Sequence, residues 1–461
     1  MKRINQYIIA LVAVFTFSCE LDEPIDLNNS DLDVVVNGAS QSQLNQLVTG
    51  IIARASTGMG VYHDVAGVIG RDIYRIDVSD PRWVGDMMGT GNLDNSAFYT
   101  GTNFSNRYNG VKTCNVLIEA VENTDVISAE EAEWYYAFAK TFKAHELLLA
   151  LNHQYNNGIR IDVDDPLALG PYTSDAAAGY NAIASLLAEA AQHATDGASS
   201  FPFTLTSGFT HYEDPEEDYT VEDFEKFIKA LQARVALYQG NYTDALTFVN
   251  ASFLDETGNF SVGVNRVFSL ASGDRVNPLF FPPNTNGTTR LAHNSWVTDA
   301  ELNDARLSKA VRRWKFDKDE VTKIDNPATI INGQLFAHYD AAAVTSQTQP
   351  MAFIRNEELI LIKAEALIQN GSAAELTEAV TLLNVIRTSS GGLLPYAGEV
   401  TQAALIDEML RQRRYSLFDE GHRWIDMRRY NRLDELKLDL PNHSVIVQIP
   451  RPFNEIGVQG G

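Results

Sequence analysis

"LFDEGHRWIDMRRYNRL", Leu417 to Leu433, crowds Asp, Glu, His, Trp and several Arg into one short segment. Charged groups packed this densely form either a catalytic constellation or the ion-paired skeleton of a structural element. The longer stretch "LIDEMLRQRRYSLFDEGHRWIDMRRY" reads as a helix whose apolar residues are Leu405, Met409, Leu410, Leu417, Trp424 and Ile425. Arg411, Arg413 and Arg414 precede Asp419 and Glu420, and Asp426 lies near Arg423 and Arg429. Opposite charges three or four residues apart stabilise an exposed helix by about 0.2–0.5 kcal/mol per pair. No nucleophile, metal-ligand spacing or phosphate loop accompanies them, so the segment reads as structure.

Working outward, helix signals dominate. "AEEAEWYYAFAKTFKAHELLLALNHQY" (Ala129 to Tyr155) carries acids at its start and Gly158 beyond its end. "SDAAAGYNAIASLLAEAAQHA" opens with Ser174 as the expected N-cap. In the stretch from Thr220 to Phe253, two helices divide at Gly240-Asn241, and Thr220 with Asp223 forms a capping box. A second hairpin begins near Arg355, stops at Asn370-Gly371 and ends before Gly391-Gly392. Ala364 and Ala366, with Ala379, let its two backbones approach closely. Such pairs resemble tetratricopeptide units, but no regular period links them, which makes a helical framework with large insertions. The insertions, Gly58 to Thr102 and Gly258 to Ser295, are rich in Gly, Asn, Asp and Pro and read as irregular loops.

Lys2 and Arg3 precede an apolar stretch from Ile8 to Phe17, too short to span a membrane and right for a secretory signal. Ser18-Cys19 follows and resembles the bacterial lipobox, in which the cysteine becomes a lipidated N-terminus; plain secretion with a free thiol is the other reading. Residues 19–33 are acidic and poor in large apolar groups, hence an expected tether. Cys114, the second of two cysteines, shares a helical face with Val111, Leu117 and Ile118 and reads as a buried structural thiol. The formal charge of −24 leaves no basic footprint for nucleic acid.

"RQRRYSLFDEGHRWIDMRR" resembles the C-terminal signature of the SusD/RagB family of nutrient-binding lipoproteins. "RNEELILIKAEALIQNGS" with "AVTLLNVIRTSSGGL" resembles the family's paired-helix motif, and "AKTFKAHELLLALNHQYNNG" its early helix. "VIVQIPRPFNEI" resembles its terminal segment. The resemblance implies a mainly α, SusD-like fold with tetratricopeptide-like helix pairs and large irregular loop insertions. Its expected organisation is a signal peptide at 1–18, a tether at 19–33 and a SusD-like domain at 34–461. That domain divides into an N-terminal part at 34–257 and a C-terminal part at 258–461. The implied role is capture of an oligosaccharide or polysaccharide at the cell exterior and its delivery to a SusC-like TonB-dependent transporter. The lipid anchor would sit in the outer membrane. Some relatives serve peptide uptake, which remains open, as does a surface glycoside hydrolase, because two suitable carboxylates suffice for that chemistry.

No catalytic residue, cofactor or metal site is expected. "HELLL" (His145 to Leu149) lacks the second histidine of a zinc-protease motif. The acids at Asp162 to Asp165 and Glu213 to Asp218 lack EF-hand spacing and read as solvated loop acids. Sugars present flat C–H faces to aromatic platforms. Of five tryptophans, Trp134, Trp314 and Trp424 lie in helix-like segments and are expected to pack. Trp83 and Trp296 lie in or at the ends of the insertions and are the expected ligand platforms, with Tyr74 and Arg75 nearby as a second ring and a hydrogen-bond donor.

Overall fold

The computed structural model describes residues 35–165 and 167–456. The expected signal segment, Cys19 and the tether lie outside the described residues.

The framework begins with α1 (Gln41–Ala55), α2 (Met59–Ile69), α3 (Phe98–Glu122), α4 (Ala129–Gln154), α5 (Ala176–Asp196), α6 (Val221–Gln239) and α7 (Tyr242–Asn250). The residue types at the helix ends set these limits. Capping boxes form at Ser128 with Glu131 and at Thr220 with Asp223, each satisfying otherwise orphaned backbone donors. Asp175 rather than Ser174 caps α5, accepting from the Ala178 amide. Gly240 closes α6 in the left-handed region at φ 74°, where a Cβ is disfavoured.

After an insertion come α9 (Asn356–Asn370), α10 (Ala373–Val385), α11 (Gln402–Ser416) and α12 (Arg423–Arg429), with a five-residue α8 (Asn294–Thr298) inside the insertion. Ala364, Ala366 and Ala379 are all fully buried where α9 and α10 meet. The packing order through space is α1, α3, α4, α5, α6, α7, α9, and then α10 and α11. The two hairpins far apart in sequence are therefore neighbours, because α7 lies on α9. Helix α4 sits in the middle of this stack and is buried around nearly its whole circumference in its C-terminal half. Cys114 is fully buried in α3, and burial pushes its thiol pKa far up, which removes thiolate reactivity.

Three expectations are corrected. The segment from Gly58 contains α2, which is buried on almost every side and so shows no amphipathic stripe to read. Trp314 lies in a strand, not a helix. The long motif helix is broken at 417–422: Asp419 (φ 67°) and Gly421 (φ 81°) both adopt left-handed backbone. A Cβ on Gly421 would lie 3.3 Å from the Tyr62 ring.

Three strands of the insertion before α9 join β1 (Ile73–Ile76), from the segment between α2 and α3, in an antiparallel sheet of order β1, β3 (Thr289–Ala292), β9 (Tyr339–Ala341), β4 (Ala310–Arg312). Strand β2 (Gly263–Arg266) pairs with β10 (Met351–Arg355), immediately before α9. Two hairpins follow β4 in the chain: β5 (Trp314–Phe316) with β6 (Lys323–Asp325), and β7 (Ala328–Ile331) with β8 (Leu335–Ala337). A second core under this sheet joins Leu291 and Trp296 to Tyr415, Phe418 and Trp424 of the motif.

Candidate binding site

The break at 417–422 aims the motif's charges at distant partners. Asp419 binds the buried Arg290 of β3, whose Nε also meets Asp64 Oδ1 at 2.6 Å. Glu420 meets Arg355 at 2.7 Å, and Arg234 of α6 meets Glu358 of α9 at 2.5 Å. Arg413 meets Asp426 at 2.7 Å; Asp426 also meets Arg429 at 2.8 Å, and Arg429 reaches Glu365 at 2.7 Å. Of these, Asp426–Arg429 alone has helical spacing. The network is a set of clamps between α11, α12, α9, α6 and the sheet. The guanidinium groups hold Asp426 and Glu358 at pKa values of about 2 despite burial, so both acids stay ionised and paired. Proton-transfer chemistry needs a group poised near the working pH, and Asp426 and Glu358 are not; burial pushes Asp419 up to about 6, where Arg290 still engages it.

The four ligand candidates read from sequence are all buried. Trp296 is 0% exposed, its ring centroid 4.1 Å from Phe418 and 5.2 Å from Tyr415. Trp83, 5% exposed, packs on Phe98 at 4.6 Å. Tyr74 stacks on His293 at 4.5 Å and donates to Asp439 at 3.1 Å. Arg75 meets Asp64 at 2.9 Å and joins the Arg290–Asp419 chain. Their position in the insertions does not free Trp83 and Trp296 as ligand platforms, because the second core reaches both. None of these rings presents a free face.

Exposed aromatic surface is found instead on the β5–β6 hairpin. Phe316 is 51% exposed and meets the half-buried Trp314 edge to face at 5.0 Å. The Lys323 ammonium lies 3.8 Å from the Trp314 ring centroid. Asp325 lies opposite Trp314 in the strand pair and gathers a polar cluster: Arg312 meets Asp325 at 3.2 Å and donates to the Tyr339 hydroxyl at 3.1 Å, while His338 meets Asp325 at 3.0 Å. Arg312, His338 and Asp325 are at least one-third exposed. Aromatic rings beside exposed planar donors and acceptors match the alternating C–H and hydroxyl surfaces of a sugar. The signal was present in "RRWKFD", where Trp314 and Phe316 alternate with charge at a strand's period of two.

A cleft of about 700 Å³ lies where α2, α4, α6, β10 and the 417–422 turn converge, and Asp419 to His422 form part of its wall. Among the described residues, no group of three or more His, Cys, Asp or Glu is placed to hold a metal ion. No helix among them is long and apolar enough to cross a membrane.

A family model described as the SusD family matches residues 149–454. No curated protein matches the sequence. Among solved structures, a surface glycan-binding protein A from Bacteroides thetaiotaomicron is similar at TM-score 0.66 and 15% identity, over 90% of this chain and 96% of that one. The same-named protein in complex with laminarihexaose is similar at TM-score 0.64 and 14% identity, over 90% and 97%. A SusD superfamily protein from Bacteroides vulgatus is similar at TM-score 0.64 and 14% identity, over 90% and 96%. At these identities the likeness is one of fold.

Proposed function

The chain belongs to the SusD family, and from that premise we propose that it is a cell-surface lipoprotein that binds glycan without cleaving it. It passes the captured oligosaccharide or polysaccharide to a SusC-like TonB-dependent transporter in the outer membrane. The observation that carries the binding role is the Trp314–Phe316 pair on the β5–β6 hairpin, with Phe316 exposed and Asp325 of the neighbouring polar cluster opposite Trp314. The laminarihexaose complex of a protein with the same fold supports a sugar as ligand.

Titration of a glycan panel that includes laminarihexaose tests this reading. Trp314→Ala and Phe316→Ala each weaken the bound glycan by about 1–3 kcal/mol of lost apolar contact, roughly 5–150-fold in Kd. The melting temperature stays nearly unchanged, because these rings support no core. Wild-type affinity in both variants removes the hairpin from the site, and new reducing ends in the wild-type mixture make the protein a hydrolase.

The anchor is Cys19, which follows an apolar export segment directly. Two or three acyl chains give lasting attachment, whereas one is marginal. Cys19→Ala is expected to release the protein from membranes or to block its processing. Wild-type protein confined to soluble fractions, with no acyl mass on Cys19, overturns the anchor.

A further inference from the structure

The cleft is separate from the hairpin and has its own electrostatics. Ser261, Ala305, Ser308 and Pro350 are exposed at its mouth, and His63 of α2 is 6% exposed in its wall. Its acids are Glu357, Glu358, Asp419 and Glu420, and each already has an arginine: Arg355 for Glu357 and Glu420, Arg234 for Glu358, Arg290 for Asp419. Arg306 is likewise matched to Asp304 at 2.7 Å.

Two cations in the wall differ. Lys309 donates to the Tyr415 and Ser416 carbonyls at 3.0 and 2.6 Å and makes no ion pair with a carboxylate of the described residues. Arg266 donates to the Ala55 and Ala352 carbonyls at 3.1 and 2.9 Å and to His145 Nε2 at 3.2 Å, again with no carboxylate. An ammonium has three N–H groups and a guanidinium five, so both keep donors to spare. Glu357 and Glu420 act on Lys309 only from beyond contact, and Glu146 on Arg266 through His145. A buried cation whose N–H donors are only partly used is costly unless something completes them. Lys309 and Arg266 bring spare N–H donors with no contacting carboxylate to the wall of a roomy cleft, and an anion is the group that completes them.

We propose that this cleft binds a small carboxylate-bearing solute. Lys309 recognises its carboxylate, Arg266 donates to a polar group of its body, and Met59, Leu279 and Met351 contact its apolar part. A volume of about 700 Å³ admits a sugar acid or an acylated amino acid.

The test titrates the full-length protein with D-glucuronate, N-acetylglycine and D-glucose. At least one carboxylate binds 10-fold or more tighter than glucose, and added salt weakens it. The tighter of the two names the source, an acidic sugar or an amino-acid derivative. Lys309→Met reduces carboxylate affinity 10-fold or more, Lys309→Arg restores most of it, and Trp314→Ala leaves it unchanged, which separates this site from the hairpin. Glucose binding as tightly as both carboxylates in wild-type protein overturns the proposal whether or not Lys309→Met folds. So does undiminished carboxylate binding by folded Lys309→Met.

Discussion

Asp426→Asn lowers stability by about 3–5 kcal/mol, since it strips the shared anion from two buried guanidinium groups at once. Arg413 reaches Asp426 through Nε and its two Nη atoms have no hydrogen-bond partner, so the variant leaves that guanidinium in contact with no carboxylate. Denaturant unfolding measures the loss, and glycan titration of the folded fraction shows affinity retained. A variant that melts normally but has lost binding would mean the motif contacts ligand. The wild-type pH profile reports the same clamp. Asp426 and Glu358 titrate at about 2 when folded, below their ordinary 3.8 and 4.5. The unfolded chain thus binds protons first as pH falls. The clamp's contribution is complete above about pH 5 and is lost progressively as pH drops toward 2. In Asp426→Asn the acid limb is shallower by one group.

Trp296→Ala costs about 3–5 kcal/mol of stability for a large aromatic removed from a closed core. The indole is fully buried against Phe418 and Tyr415, and its Nε1 donates to the Arg414 carbonyl at 3.4 Å. It joins the sheet-bearing insertion to the motif, so its loss loosens that junction, while Trp314 and Phe316 keep their hairpin. Thermal melting shows the drop, and titration of the folded fraction shows unchanged glycan affinity. A stable variant with weakened glycan binding would return Trp296 to the ligand surface.

The helix pairs were readable because their information is local. Thr220 with Asp223, Gly240-Asn241 and Gly371 stop and start helices through contacts within four residues. The motif's structural role was readable too, from charges matched in sign. Its partners were not: Asp419 finds Arg290 and Glu420 finds Arg355 only after the turn at Gly421, and neither pairing leaves a trace in spacing. Helix α2 escaped notice because burial on all sides erases the periodicity that marks a helix surface. Site residues failed for the converse reason. Loop composition around Trp83 and Trp296 describes the backbone, whereas the exposure of a ring depends on which core lies beneath it.

The contact between α7 and α9 has a consequence for how such a chain can vary. Residues 251–355 leave the stack and re-enter it at adjacent helices, so the whole insertion behaves as one closed loop of roughly a hundred residues. The entropy of closing a loop grows only with the logarithm of its length, about 0.6 kcal/mol for each doubling. The clamps that join the helices to each other, Arg234 to Glu358 and Arg413 to Asp426, lie outside that loop. Hairpins such as β5–β6 can therefore be lengthened, shortened or exchanged at little thermodynamic penalty to the stack. Ligand choice and scaffold stability can then drift independently within one gene.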